Sequence, residues 1–277
     1  MDRDKLAYWD LRASRPVGRP LPAPIRPAPA DIAFWESRLR THCGRRTQFL
    51  ALLLGVTPAL ATLRWPAGTS LVALDWSSGM IRRAWPSSGL PEFAVPVRGD
   101  WRQMPLAGAS RDLIIGDGCY AALATFADCA ALNEEAWRVL RPGAWYWLRC
   151  YLRPASPEPL DRLFAELRAG HIGEFEIFIW RLAMALHGPA RVGVRMDEVW
   201  RAWHAQVPDT RALLAQLGWS EQAYANIAQW EGLRIQMPLP TLSEARAMLE
   251  PRFQILECSF GGYEMGDRCA RLVMRKR

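Results

Sequence analysis

Three aspartates, Asp75, Asp100 and Asp117, stand at or just beyond the ends of short apolar runs. Runs of this length, bounded by turn residues, are typical of buried parallel strands joined by helices. The carboxyl ends of parallel strands share one edge of a sheet, and ligands of open α/β folds bind at that edge. A carboxylate at such a position can accept two hydrogen bonds from ribose hydroxyl groups. The pattern therefore indicates a nucleotide-binding edge.

The stretch 49–81 predicts the elements that position the first carboxylate. An apolar run ends at Gly55, a Thr-Pro turn follows, and a second apolar run ends at Asp75. A glycine just past the first strand lets the backbone approach a ligand closely. A dinucleotide loop would place further glycines two and five positions later, where Thr57 and Leu60 stand. From this stretch alone, an ordinary βαβ unit without a ligand stays open.

Several segments in order along the chain resemble one known family. Asp75-Trp76-Ser77-Ser78-Gly79-Met80-Ile81 resembles the D-x-S-x-x-M-[IL] segment of class I S-adenosylmethionine-dependent methyltransferases. Gly99-Asp100-Trp101 is similar to the start of the family's G-D-[WA]-x-x-[ML]-P-[LF] segment. Residues 111–118 resemble its D-[LV]-[IV]-x-[GD]-[DN]-[GS] strand, and Pro142-Gly143 ends a phrase similar to its R-x-L-[RK]-P-G-G.

The resemblance implies S-adenosylmethionine as the cofactor. Asp75 would bind the ribose, Asp100 would accept a hydrogen bond from the adenine amino group, and Trp101 would flank the base. The implied cofactor-binding residues are Gly55, Thr57, Asp75, Trp76, Met80, Asp100, Trp101 and Asp117. Leu53 stands where the family has an acidic residue that orients the methionine end. Thr57, backbone groups of the loop and the N-terminus of the next helix are therefore expected to hold that end.

The same matches imply an α/β fold with a seven-stranded, mostly parallel Rossmann-like sheet and a C-terminal antiparallel hairpin. Residues 31–151 and 241–277 would form the cofactor-binding domain. Residues 152–240 show the periodicity of five helices and predict an all-helical insertion after the fifth strand, set as a cover over the substrate. Residues 1–30 are rich in proline and arginine beyond Tyr8-Trp9-Asp10. They predict an extended segment, either a tail or a cover over the cofactor.

The predicted reaction is methyl transfer by in-line displacement to a small or medium-sized organic acceptor. A general base is needed only if the acceptor must lose a proton, and the candidates are Asp117, Tyr120 and His204. The aromatic residues of the insertion are Trp180, Trp200, Trp203, Trp219, Tyr224 and Trp230. Most of them are expected in its core, with a few lining an acceptor pocket. The sequence leaves open O-, N- or C-methylation and the oligomeric state.

Composition and charge define the alternatives. The net charge of +7 comes almost wholly from arginines spread along the chain, since Lys5 and Lys276 are the only lysines. An RNA-directed methyltransferase therefore stays as an alternative, as does a non-catalytic relative that binds a partner or another nucleotide. The absence of long apolar runs and of a signal-peptide core predicts a cytoplasmic protein without membrane contact. Six cysteines without metal-ligand spacing predict reduced thiols and no metal site.

Overall fold

The computed structural model describes residues 3–14, 22–43, 48–190 and 192–277 of the chain. Its strands are β1 (Phe49–Leu54), β2 (Thr69–Asp75), β3 (Phe93–Arg98), β4 (Arg111–Asp117), β5 (Leu140–Tyr151), β6 (Val194–Arg195), β7 (Gln236–Met237), β8 (Phe253–Ser259) and β9 (Cys269–Lys276). Its helices are α1 (Arg3–Ser14), α2 (Pro29–Cys43), α3 (Pro58–Ala61), α4 (Ser78–Ala84), α5 (Cys119–Ala122), α6 (Phe126–Val139), α7 (Leu160–Arg168), α8 (Phe175–Leu186), α9 (Met196–Gln206), α10 (Thr210–Gln216), α11 (Glu221–Ala228) and α12 (Leu242–Leu249).

Seven strands form one sheet in the order β3-β2-β1-β4-β5-β9-β8. Strands β1 to β5 run parallel, and β9 runs antiparallel to both β5 and β8. The predicted seven-stranded, mostly parallel sheet with a closing antiparallel pair is therefore confirmed. The chain builds outward from β1 on one side and from β4 on the other, so the strand order reverses between β1 and β4. Such a switch point opens a crevice at the carboxyl ends of the strands.

Both faces of the central strands are buried because their side chains are apolar on both sides. In β1, Leu53 belongs to the same apolar core as Trp35 of α2. Its neighbour Leu52 belongs to the core on the opposite face, together with Leu132 of α6. Helices on both faces therefore fix the strand whose end carries Gly55.

Helices α7 to α11 follow β5 and build an apolar core of their own. Trp203 is fully buried in this core, with edge-on ring contacts to Phe175 and Phe178. The five predicted helices are all present, and the short antiparallel pair β6–β7 is the one addition to the all-helical expectation within the described residues. The proposed domain boundaries at 151 and 241 stay predictions. None of the described helices has the length and apolar character needed to cross a membrane.

The predicted extended conformation of residues 1–30 is wrong for its first part. Residues Arg3–Ser14 form helix α1, which contains no proline to interrupt its hydrogen bonds. Tyr8 of this helix joins the apolar core of α8 and α9, so packing across the fold stabilises it. Pro16 and Pro20 lie outside the described residues.

Helix α2 begins at Pro29 and ends at Cys43. Proline suits the first turn of a helix, where an amide hydrogen would have no partner. The carboxylate of Asp31 still satisfies the helix start, because its Oδ2 accepts a hydrogen bond from the amide of Ala28 at 2.9 Å.

Strand β3 forms one edge of the sheet, since β2 is its one partner among the strands that the structure describes. Phe93 and Val95 on this strand are 61% and 50% exposed. Pro96 stands between Val95 and the strand's end, and proline within a sheet is confined to edges because it lacks the amide donor.

Candidate cofactor and acceptor site

A cavity of about 340 Å³ opens at the carboxyl edge of the sheet, between the strand ends and the helices that follow β5. This volume lies within the range of small-molecule sites. The structure brings all of the sequence-predicted cofactor residues to this cavity. They are Gly55, Thr57, Asp75, Trp76, Met80, Asp100, Trp101 and Asp117.

Gly55 forms the floor of the cavity directly after β1. Its φ of +86° is a left-handed conformation that glycine adopts without strain. A Cβ atom at this position would lie 3.5 Å from Cζ2 of Trp101 and 3.8 Å from Oδ2 of Asp75. Three predicted residues from three separate loops therefore converge on one cradle, which a side chain at position 55 would fill.

Asp75 ends β2 with a carboxylate that keeps acceptor capacity. Its Oδ1 accepts a hydrogen bond from the amide of Ser77 at 2.9 Å, and its Oδ2 faces Gly55. Burial raises the pKa of Asp75 to about 6; the amides of Ser77 and Trp76 oppose this shift, and the nearby charge of Asp10 adds to it. No salt bridge to Asp75 is present among the residues that the structure describes. This carboxylate can therefore receive hydroxyl donors from a ligand.

Trp101 and Asp100 follow β3, and their side chains are bound by different partners. Nε1 of Trp101 donates to the carbonyl oxygen of Leu74 at 2.5 Å, which holds the indole across Gly55. Asp100 is bound by Arg102, with Nη2 at 2.8 Å from Oδ2, and Arg102 also pairs with Asp128. Burial disfavours the charge on Asp100, but the hydrogen bonds from Arg102 outweigh burial and lower its pKa. The predicted contact from an adenine amino group therefore stays a prediction, with Arg102 already occupying much of that carboxylate.

Asp117 ends β4 in a buried ion pair. Nε of Arg149 on β5 lies 2.5 Å from its Oδ1, and the side chains are 1% and 6% exposed. Burial raises the pKa of Asp117, and the attraction of Arg149 opposes that shift. Arg149 also donates to the carbonyl oxygen of Pro24 at 2.8 Å and lies 3.8 Å from Asp31. To act as a general base, Asp117 would have to leave this network.

The other two predicted bases do not line the cavity. The hydroxyl of Tyr120 donates to Oδ1 of Asn133 at 3.0 Å inside the core, and burial raises its pKa well above the ordinary value. His204 shares a hydrogen bond of 2.9 Å between its Nε2 and the hydroxyl of Tyr224, and its ring packs on Trp200. Tyr120 follows Asp117 closely in the sequence, and His204 follows Trp203. Neither side chain reaches the crevice.

The far wall of the cavity comes from α1 and from the elements that follow β5, and it is mainly apolar and aromatic. Its side chains include Tyr8, Trp9, Phe175, Ile179, Trp180, Met196, Ile227, Trp230 and Met237. The ring of Trp180 packs against Tyr151 at the end of β5, with centroids 4.3 Å apart. Of the insertion aromatics that the sequence singles out, Trp180 and Trp230 line the cavity, whereas Trp203 lies in the core.

Helix α1 is fastened across the cavity at two places. At one end, the buried ammonium of Lys5 donates to the carbonyl oxygens of Ala121 at 3.2 Å and Gln236 at 2.9 Å, and also to that of Leu123. At the other end, the hydroxyl of Ser77 donates to Oδ1 of Asp10 at 2.5 Å. The helix therefore reaches from the turn after β4 to the turn after β2.

Six charged residues at the cavity are missing from the sequence prediction. They are Lys5, Arg12, Arg26, Arg102, Asp128 and Glu176. Lys5 and Arg12 share with Tyr8 and Trp9 the i, i+3, i+4, i+7 spacing of one helix face, which could have revealed them once α1 was predicted. Glu176 is the single acidic residue of the apolar helix α8, which is a weaker signal. No sequence pattern indicates Arg26, because its position depends on how the segment before α2 packs against Tyr151 at the end of β5.

Comparison with known proteins identifies related sequences and folds. Residues 52–148 match the family model described as a methyltransferase domain. The S-adenosylmethionine-dependent methyltransferase of Methanosarcina mazei is 15% identical with a TM-score of 0.50, covering 91% of this chain and 98% of that one. None of the curated proteins matches the sequence.

Two further solved structures share the fold over nearly the whole chain. N-methyltransferase NodS of Bradyrhizobium japonicum, solved with S-adenosylhomocysteine, is 11% identical with a TM-score of 0.52, covering 99% of this chain and 98% of that one. A Rhodobacter sphaeroides protein named as a zinc-dependent alcohol dehydrogenase is 12% identical with a TM-score of 0.59, covering 100% and 99%. At these identities the likeness concerns the fold alone.

Proposed function

The chain belongs to the class I S-adenosylmethionine-dependent methyltransferases, and from that premise we propose that it methylates a small or medium-sized organic acceptor held against the aromatic wall. S-adenosylmethionine is its cofactor. One observation carries the proposal: a single cavity is lined both by the predicted cofactor residues and by aromatic side chains of α1, α8 and the segment after α11. Donor and acceptor sites that share one space are what direct group transfer requires.

The residues at the strand ends fit the adenosine part of this cofactor. Gly55 leaves open the cradle that a side chain would fill, and Oδ2 of Asp75 faces that cradle. An ionised carboxylate accepts hydrogen bonds and donates none, which suits a pair of ribose hydroxyls. Trp76 and Trp101 add broad aromatic faces beside it, suited to a purine ring. These contacts are part of the proposal.

The acceptor wall favours a planar or amphipathic molecule. Trp9, Trp180 and Trp230 present large apolar surfaces with few rotatable bonds, so they bind a flat ligand at low entropic cost. The arginines with direct access to this wall are few, which disfavours a polyanion such as RNA. A small or medium-sized acceptor therefore suits the cavity better than the nucleic-acid alternative.

The chemistry asks the protein mainly for alignment and exclusion of water. When bound, the cofactor supplies a methyl group activated on a sulfonium. Helix α1 and the aromatic wall cover the cavity and keep water from competing with the acceptor. Asp117 is held in its pair with Arg149, so the proposal assigns it no proton transfer. Its part is to shape the β4 side of the cavity.

The test is release of S-adenosylhomocysteine with a panel of planar phenols, amines and carboxylic acids, with RNA as the competing acceptor. For an accepted compound, Trp180→Ala is expected to raise the acceptor KM about tenfold, since a buried aromatic contact is lost. The affinity for S-adenosylhomocysteine should stay unchanged. Trp200→Ala is the matched control, because Trp200 belongs to the same helical region but does not line the cavity.

Two results contradict this proposal. One is turnover of RNA but of no small molecule, with an affinity that falls steeply as salt is added. The other is an equal loss in Trp180→Ala and Trp200→Ala, which would place the effect in the stability of the helices rather than in acceptor binding.

A further inference from the structure

The methionine end of the cofactor lacks its usual partner in this chain, and this inference rests on the proposed function. Leu53 is fully buried in the sheet core, so β1 offers no acid to pair with the ammonium of this end. The carboxylate of the same end needs donors or a cation. Helix α3 has four residues and begins with Pro58, so it supplies no array of amide donors for a carboxylate. Another group must neutralise that carboxylate.

The cavity offers four basic side chains, and two of them are already committed. They are Lys5, Arg12, Arg26 and Arg102. The ammonium of Lys5 is occupied by backbone carbonyl oxygens, and Arg102 is shared between Asp100 and Asp128. Within the described ranges, neither Arg12 nor Arg26 forms an ion pair. Arg12 donates to the hydroxyl of Tyr8 at 3.2 Å.

The two residues before Arg26 are bound on the β4 side of the crevice. The hydroxyl of Tyr151 donates to the carbonyl oxygens of Pro24 at 2.9 Å and Ile25 at 3.1 Å. The ring of Tyr151 in turn packs against Gly118, where a Cβ would meet its Cε2 at 2.7 Å. The segment that ends at Arg26 is therefore held on the β4 side of the switch point, and Arg26 and Gly118 line the same cavity.

Arg12 lies toward the other side. Asp10 binds Ser77 after β2, and the carbonyl oxygen of Ala13 accepts a hydrogen bond from Arg83 at 3.2 Å. The stretch of α1 around Arg12 therefore packs near the β2 end of the crevice. An adenosine held by Asp75 has no anionic group there.

We propose that Arg26 binds the carboxylate of the cofactor's methionine moiety. A cofactor with its ribose at Asp75 extends across β1 toward β4, which brings its amino-acid end to the side where Arg26 stands. Asp117 also lines this side, but its carboxylate is paired with Arg149. A guanidinium matches a carboxylate in charge and in the geometry of two parallel hydrogen bonds. Arg26 thus holds the carboxylate of the amino-acid end, whereas the acid that the family has on β1 could pair only with the ammonium.

The test compares two ligands that differ in this group. S-adenosylhomocysteine carries the carboxylate, and methylthioadenosine shares the adenosine but lacks the amino-acid part. By calorimetry, Arg26→Ala is expected to weaken S-adenosylhomocysteine about tenfold and to leave methylthioadenosine within about twofold, as for a charge-assisted hydrogen bond. Arg26→Lys should recover part of the loss because the charge returns without the planar geometry.

Arg12→Ala is the matched control, with the same charge in the same cavity, and it should change the affinity of both ligands by the same factor. Equal weakening of both ligands by Arg26→Ala, or of neither, overturns the assignment. Selective loss in Arg12→Ala, or a rise in acceptor KM without any loss of S-adenosylhomocysteine binding in Arg26→Ala, also overturns it. Failure of the wild-type protein to bind either ligand would instead sink the proposed function.

Discussion

Asp75 and Asp117 end two parallel strands separated by β1, and both line the same cavity, yet they are prepared for different work. Asp75 is bound by backbone amides and faces the empty cradle above Gly55. Asp117 is locked to Arg149 and, through it, to Asp31 and the chain before α2. The first carboxylate is available to a ligand, whereas the second holds the fold together.

The difference lies in what stands opposite each strand end. The neighbour of Asp75 across the crevice is a glycine, and no cation among the described residues forms an ion pair with its carboxylate. The neighbour of Asp117 is Arg149, which β5 delivers at the paired position of the sheet. A buried carboxylate without a cation binds protons or ligands, and one with a cation resists both. Three predictions test this contrast between the two carboxylates.

The largest effect is expected from breaking the buried pair. Arg149→Met keeps much of the side-chain volume but leaves Asp117 and Asp31 buried without their shared cation. Removal of one partner of a buried pair costs about 3–5 kcal/mol, measured as a loss in the free energy of unfolding in urea. The double variant with Asp117→Asn should recover part of that loss. A loss below about 1 kcal/mol would show that the network contributes little.

An effect of opposite kind is expected at the other strand end. Asp75→Ala should weaken S-adenosylhomocysteine about a hundredfold, because two charge-assisted hydrogen bonds are removed. The free energy of unfolding should stay the same or rise slightly, since an unpaired buried carboxylate is lost. Calorimetry and urea unfolding of the same preparation measure both. Retained binding with lowered stability would assign Asp75 a structural role and reverse the contrast.

The smallest effect concerns pH. The pKa of Asp75 is raised from 3.8 to about 6, so its protonated form contributes stability below pH 4 that is lost as the pH rises through 6. Ligand hydroxyls need the ionised form, so affinity for S-adenosylhomocysteine should rise from pH 5 to pH 7 and then level off. Asp10→Asn removes a neighbouring charge and should move the midpoint down by less than about one pH unit. A pH profile that persists in Asp75→Asn would exclude this origin.

The sequence was sufficient for the parts of the fold that depend on local pattern. Apolar runs and turn residues predicted β1, β2 and β4, and the resemblance implied the seven-stranded sheet. Helical periodicity predicted five helices in the segment that contains α7 to α11. The resemblance named the cofactor residues, and all of them reach one cavity. Their individual roles stay predictions until ligand binding is measured.

The remaining features depend on contacts between distant parts of the chain. The commitment of Asp117 requires Arg149, a residue of another strand whose partner cannot be read from either segment alone. Tyr120 follows Asp117 closely, but the turn of α5 directs it to Asn133 in the core. Helix α1 was missed because prolines after it dominated the pattern, while the packing of Tyr8 and the anchoring of Lys5 stabilise it.

Pro96 affects how other chains can pair with the edge strand β3. Phe93 and Val95 are exposed apolar side chains on β3. An edge strand of this kind can pair with a strand of another chain and so extend the sheet. Proline has no amide donor, so a strand added to β3 would lack one backbone hydrogen bond in the middle of the strand. We therefore expect this edge of the sheet to resist aggregation although its exposed side chains are apolar.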